Sequence, residues 1–394
     1  MNTSMNASNI SADVNYNNNN SIVFSAIIAT AVFVFQIMNI TSVVSVCFYI
    51  SIALVAANYV LKIVATKKIS VHMLIISVLM LFSFAVPGFV FNFEVYKRAI
   101  IVLCCIICIE DTRTTKISLK EFRIIEFSFI FAVVFANYMF YIRGYNSILF
   151  QATNSIAMNF SNPNALALWL TAFFIALSIC LFIEPHKFLK IAVLLSALSL
   201  LPIISATESR NSLFSCIFVI GVLVITMIRA QKRNVKSLPK WIILLLTALP
   251  AIIFFVYMFI ILPNIDFFNN LFSFLIRRGK SLGSRATVWK IVYDDLGPCF
   301  LFGKYNKYYN GQMHNSLMTL YCMFGAPVTF LISSVFYKSI SHQKIYTQIA
   351  LLGIWLTGCF EASIFVGIAG IYLMLQILPA ISSAIANKPI QSNQ

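Results

Sequence analysis

Acidic side chains are scarce in this chain: 12 Asp and Glu stand against 28 Lys and Arg among 394 residues. So few carboxylates leave little material for a metal cage or a paired general acid and base. Charge of either sign is thin at 10%, and mean hydropathy is +0.89. No soluble domain of this length hides so much apolar surface, so the composition points to an integral membrane protein. The alternating hydropathy of a transmembrane β-barrel is missing as well. Apolar runs are instead continuous over about twenty residues, the length a helix needs to cross hydrocarbon.

Other absences narrow the class further. Eight of the nine cysteines lie inside apolar runs and only Cys299 sits in a polar loop, which excludes a disulfide framework. Cys104, Cys105 and Cys108 have near-metal spacing but no histidine close by, and read as helix packing. The first twenty residues hold no Lys or Arg and no apolar core, so a disordered polar tail is expected there and not a signal peptide. A net charge of +16 does not point to nucleic acid, because the basic residues fall in short clusters between apolar runs, where they set orientation. Neither a fixed-period repeat nor matched broken helices of the inverted-repeat transporter kind is visible.

What is present is about twelve apolar runs, near 21–39, 42–61, 70–92, 99–109, 124–142, 163–183, 191–207, 211–228, 241–262, 314–336, 345–360 and 363–385. The expected fold is all-α: a polytopic integral membrane protein of about twelve transmembrane helices with one large periplasmic loop. Its parts are a cytoplasmic tail (1–20), helices one to nine (21–262), the loop (263–313), helices ten to twelve (314–385) and a second tail (386–394). In alternate short connections and tails, 17 of the 28 basic residues fall on one side against 4 on the other. That bias puts both termini in the cytoplasm and the loop outside.

The loop then carries Arg277, Arg278, Lys280, Arg285, Lys290, Lys304 and Lys307 on the side the bias disfavours, which suggests a site for an anion. Four features map to the same outer rim. Asn162-Pro163-Asn164 caps a helix start and offers amides to a sugar or phosphate. Glu208-Ser209-Arg210-Asn211 places an arginine at a membrane edge, where its planar donor fork suits a phosphate. Ser284-Arg285 precedes Ala-Thr-Val-Trp289, with Ser284 as the expected cap and Arg285 at a positive helix end. His314-Asn315 opens the tenth helix as a candidate base, and eleven residues on, Gly325 is expected on the same helical face, letting another helix approach closely. Adjacent Asp294 and Asp295 have no third ligand nearby and read as solvated or paired with Lys290, so no metal is expected. Glu126 and Glu361 fall within or beside helices, where an acid is functional by default, but sequence names no partner for either.

Taken together, Ser209-Arg210, Ser284-Arg285 with Trp289, Pro298…Leu301-Phe302-Gly303 and His314-Asn315-x9-Gly325 resemble the bacterial O-antigen ligase and polymerase superfamily. The resemblance covers mainly residues 160–330. It implies a glycosyltransferase of the bacterial inner membrane that uses a glycan on undecaprenyl pyrophosphate, with membrane lipids around it and no nucleic acid partner. Arg210 and Arg285 would hold the pyrophosphate, with Arg277, Arg278, Asn315, Asn162 and Asn164 as further substrate contacts. His314 would take the proton of the acceptor hydroxyl, and no metal or cofactor would be needed. The acceptor is lipid A core for a ligase, the reading favoured by the histidine motif, or a second lipid-linked repeat unit for a polymerase. A transporter or lipid-linked sugar flippase fits the helix count as well, but predicts its charges at the bilayer midplane.

Overall fold

A computed structural model describes residues 19–86, 93–111, 117–144, 149–150, 155–232, 237–271, 285–308, 313–359 and 370–383. The fold is all-α apart from a two-residue antiparallel pairing of β1 (Leu149–Phe150) with β2 (Ser155–Ile156). Over the described residues, every one of the twelve apolar runs carries a helix. These are α1 (Asn19–Ile37), α2 (Thr41–Thr66), α3 (Val71–Ala85), α4 (Phe93–Asp111), α5 (Leu119–Asn137), α6 (Pro163–Ile183), α7 (Lys187–Ala206), α8 (Arg210–Lys232) and α9 (Lys240–Val256). Three short helices follow: α10 (Ile265–Leu271), α11 (Ala286–Asp294) and α12 (Tyr305–Tyr308). The series closes with α13 (Ser316–Ser341), α14 (Ile345–Thr357) and α15 (Met374–Ser383).

Among the described residues, seven helical runs are long and apolar enough to cross a membrane: 41–66, 119–142, 163–183, 187–206, 210–228, 240–271 and 316–341. Within the described residues the other five do not meet both conditions. At 1.5 Å per residue, the 15 residues of α3 and the 13 of α14 span roughly 20 Å, against about 30 Å of hydrocarbon. The apolar stretches of α1 and α15 are also under 18 residues, and α4 has the length but carries charge at both ends.

Local signals explain where helices begin. Ser118 and Glu121 form a capping box at α5, and Ser70 Oγ accepts from Met73 N at α3. Asn162 Oδ1 accepts from Ala165 N at 2.9 Å, and Pro163 takes the first position of α6, where its missing N–H costs nothing. The boundary expected at Pro263 falls inside a helical run instead. A π-turn (Tyr257–Ile261) and a 3-10 turn (Leu262–Asn264) carry α9 on to Leu271, and Pro263 sits in the first turn of the new segment, where it is tolerated.

Helix α6 is apolar on every face and buried on every face, and is the post around which α5, α7, α8, α14 and α15 pack. Phe33 of α1 meets Trp169 and Phe173 of α6 at 6.0 and 4.9 Å, which ties α1 to that post. The outward faces of α2, α7, α8 and α9 expose Val, Ile, Leu and Phe, the surface a lipid environment covers.

Candidate functional site

The turns between α6 and α7 and between α7 and α8 are three residues each, so these helices run antiparallel and α6 and α8 begin at the same end. The start of α13 joins that end through the turn after α14. Asn211, beside Arg210, donates its amide to the Thr357 carbonyl. Ser316 N donates to Gly358 O at 2.8 Å, and Asn315 Nδ2 donates to Cys359 O at 3.1 Å. Three successive carbonyls of one turn therefore hold the residues flanking Arg210 and His314. Arg210 is exposed at the head of α8, and His314 is half-buried just before the cap of α13.

Arg285 reaches the same place by another route. It occupies the cap position of α11 itself, where Ser284 was expected; Ser284 lies outside the described residues, and the Arg285 side chain makes no capping bond. One turn on, the buried Trp289 packs against Phe254 at 5.4 Å and Tyr257 at 4.8 Å, and its Nε1 donates to Met313 O at 2.8 Å. Met313 precedes His314. Arg285 is also within electrostatic reach of Tyr257 at the end of α9. The loop helix that carries Arg285 is thus bonded to the backbone that carries His314.

The rim collects positive potential from its backbone as well as its side chains. Helices α6, α8 and α13 all start here, and each brings the positive end of a helix dipole to the rim. Glu208 (φ 55°) and His314 (φ 51°) adopt the left-handed conformation just before these starts. That conformation costs a non-glycine residue about 1–3 kcal/mol, a strain the surrounding bonds must hold.

Asn315 was expected to bind substrate, and its surroundings assign it a different task. Its Nδ2 hydrogens go to Pro250 O (2.7 Å) and Cys359 O, its Oδ1 accepts from Met318 N (3.1 Å), and it is wholly buried. With both hydrogens spent where three helices meet, it fixes the backbone next to His314. Asn162 likewise spends its Oδ1 on the cap of α6, with Asn164 half-buried on the same turn. These two share the rim by topology. Arg277 and Arg278, with Lys280, lie outside the described residues, as does Glu361.

The loop's other cations divide. Lys304 and Lys307 pair with Asp295 at 3.0 and 2.5 Å, and the Tyr308 hydroxyl joins the same carboxylate. Bonds from Lys307 and Tyr308 first, then Lys304, hold the Asp295 carboxyl well below the usual carboxylate range. The acid pair was expected to be solvated or paired with Lys290; Asp295 is paired with Lys304 and Lys307, through the turn that carries the chain back over residues 296–304.

Gly325 does permit a close approach, but the neighbour is that turn and not a helix. At Gly325 (φ 83°, ψ 175°) α13 breaks, so the eleven-residue spacing from His314, which itself precedes the helix, does not define a shared face. Ala326 N, newly orphaned by the break, donates to Phe300 O at 2.8 Å, and Pro327 has no N–H to satisfy. Gly303 answers from the loop side: Lys304 N donates to Cys322 O at 2.7 Å, and a Cβ on Gly303 would lie 2.4 Å from the Met323 carbonyl carbon. Cys299, placed alone in the loop by sequence, lies buried against Cys322 of α13, whose thiol lowers its pKa.

Sequence reasoning missed the Trp289 bond, the Asn211 clamp and the Thr357–Cys359 turn. Trp289 and Asn211 stood inside the motifs already singled out; the turn carries only a glycine after a helix, a weak signal. No protein-family model, curated protein or solved structure matches this chain.

Proposed function

We propose that this chain is a metal-independent glycosyltransferase of the bacterial inner membrane, moving a glycan from undecaprenyl pyrophosphate to an acceptor sugar hydroxyl as an O-antigen ligase does. The observation that carries the reading is the convergence of Arg210, Arg285 and His314 through the Thr357–Cys359 turn and the Trp289–Met313 bond. Two guanidiniums beside helix starts suit a diphosphate. An imidazole on the same rim suits proton removal.

In the proposed mechanism the arginines hold the donor's pyrophosphate, and His314 takes the acceptor hydroxyl proton as that oxygen bonds to the anomeric carbon. The bond from that carbon to the pyrophosphate oxygen breaks, and undecaprenyl pyrophosphate leaves with its charge already stabilised. In this mechanism no protein acid is needed at the leaving group. The topology that goes with this reading has twelve crossings, both termini in the cytoplasm, and the 263–313 segment in the periplasm. The split of basic residues between alternate connections supports it.

The test is glycan transfer by purified protein from a lipid-linked donor, with lipid A core or a second lipid-linked glycan as acceptor. His314→Ala and Arg285→Ala are expected to abolish transfer, while Lys304→Ala changes it little. Full transfer by His314→Ala removes the base, and transfer only to the lipid-linked acceptor makes the enzyme a polymerase. Topology is read in a background lacking other reactive thiols, with a cysteine replacing Lys232 or Lys304. Only the second should react with an impermeant reagent from outside.

A further inference from the structure

At the opposite end of α6 from the rim lies a cluster the transfer chemistry does not use. Glu126 on α5 and Glu184, which caps the C-terminus of α6, are both wholly buried and face each other within hydrogen-bonding reach. Among the described residues, the cation beside them is Arg123, whose Nε lies 3.6 Å from Glu184 Oε2. Glu184 Oε1 accepts from His186 N at 2.8 Å. Among the described residues, neither carboxyl oxygen of Glu126 and not Glu184 Oε2 meets a hydrogen-bond donor.

Two carboxylates and one guanidinium leave the buried cluster one positive charge short, with acceptor oxygens turned toward acceptor oxygens. Burying a net charge with unsatisfied oxygens is strongly unfavourable. Like-charged carboxylates in contact do not both ionise, and the usual resolution is one proton held between them. Among the described residues the neighbouring elements supply no buried cation in compensation, and the His186 side chain on the turn itself is exposed. Helix α1 has no titratable group facing α5, and α6 contributes only the Cys180 thiol. On α7, Lys187 is exposed and Lys190 half-buried. Tyr346 of α14 is occupied in stacking on Phe182 at 4.9 Å. Oxygens that approach within hydrogen-bonding reach of one another favour a proton over a metal cation, which needs room between its ligands.

We propose that Glu126 and Glu184 share a single proton, forming a proton-binding site that fastens the α6–α7 turn to α5 and loosens when the proton is lost to solvent. A folded pair that binds a proton the unfolded chain has released loses stability as pH rises through the pair's ionisation, and the loss levels off beyond it.

The full-length protein in detergent micelles is the test material. Infrared spectra at neutral pH should show the carbonyl stretch of a protonated carboxylic acid, absent from both Glu126→Gln and Glu184→Gln and fading in the wild type as pH rises. Thermal unfolding followed from about pH 6 to about pH 9 should show the wild type losing stability with pH more steeply than Glu126→Gln, whose amide donates permanently where the proton would sit. If either variant fails to fold, the wild-type acid band and its titration still decide. The proposal is overturned by the absence of that band at neutral pH. It is equally overturned by identical pH profiles in wild type and Glu126→Gln, or by a melting temperature raised by sodium over choline at fixed pH, which would make the occupant a monovalent cation.

Discussion

Adding one methyl group at Gly325 tests the joint between the loop and α13 without reference to any activity. In Gly325→Ala the new Cβ would sit 2.4 Å from Leu301 O and 2.6 Å from Leu301 C, where ordinary contact begins at 3.4 Å. Backbone lies on both sides, so no side chain can swing away; the turn must retreat by about 1 Å or α13 must change its path. Retreat breaks the Ala326 N–Phe300 O bond and strains the Lys304 N–Cys322 O bond, each worth about 1 kcal/mol. The backbone conformation itself, open essentially to glycine alone, adds about 1–3 kcal/mol for alanine. The sum is roughly 3–5 kcal/mol, a large part of the stability of an ordinary domain.

Gly221 in α8 provides the control, since a Cβ there meets nothing within 4 Å. Gly221→Ala should stabilise the helix by about 0.5–1 kcal/mol. In a background that keeps Cys299 and Cys322, both buried beside the joint, and replaces the other seven cysteines, a thiol-reactive dye followed during heating in detergent reports its opening directly. Early labelling is expected in Gly325→Ala and none before global unfolding in Gly221→Ala. Equal labelling temperatures in the two variants would refute the argument that the glycine exists to admit the turn.

Trp289→Phe keeps the ring contacts to Phe254 and Tyr257 but leaves the Met313 carbonyl without its donor. A cost of about 1–3 kcal/mol is expected, with kcat for transfer falling at least tenfold while donor KM changes little; a fall in neither would separate Trp289 from His314. Asn315→Ala removes a helix cap and orphans bonds to two buried carbonyls, so a loss of about 3 kcal/mol or more is expected from thermal unfolding, ahead of any assay of transfer. Asp295 gives a pH signature. Its carboxyl ionises below the usual range in the folded state, so its contribution to stability is present above about pH 4 and is lost as pH falls below that; limited proteolysis of the loop should accelerate there in the wild type and be fast at all pH in Asp295→Asn.

Hydropathy made the helices legible, because a run of apolar residues bounded by Asn162-Pro163 or Ser118…Glu121 has one economical structure. The cluster of site residues at one rim was legible to the extent that loop parity places alternate connections on the same side. Pairings across distant segments were not. Nothing local to Glu126 names Glu184, 58 positions later, since the contact is set by how α5 leans on α6. The break at Gly325 was hidden for a related reason: an uninterrupted apolar stretch reads as one helix, and the turn that fills the gap belongs to a polar segment with no pattern of its own. Asn315 was legible as a polar residue beside the candidate base, but its bonds to backbone groups of three segments were not.

The Thr357–Cys359 turn also sets an order of assembly. Arg210 is synthesised about 150 residues before the carbonyls that clamp its neighbour, and His314 more than forty before them, so a nascent chain can insert most of its helices with the two still unconnected. The rim closes only when the ribosome has passed Cys359 and α14 has docked between α8 and α13. A chain truncated within α14 would keep Arg285 tied to His314 through Trp289 but would lose the carbonyls that bring the start of α8 to them.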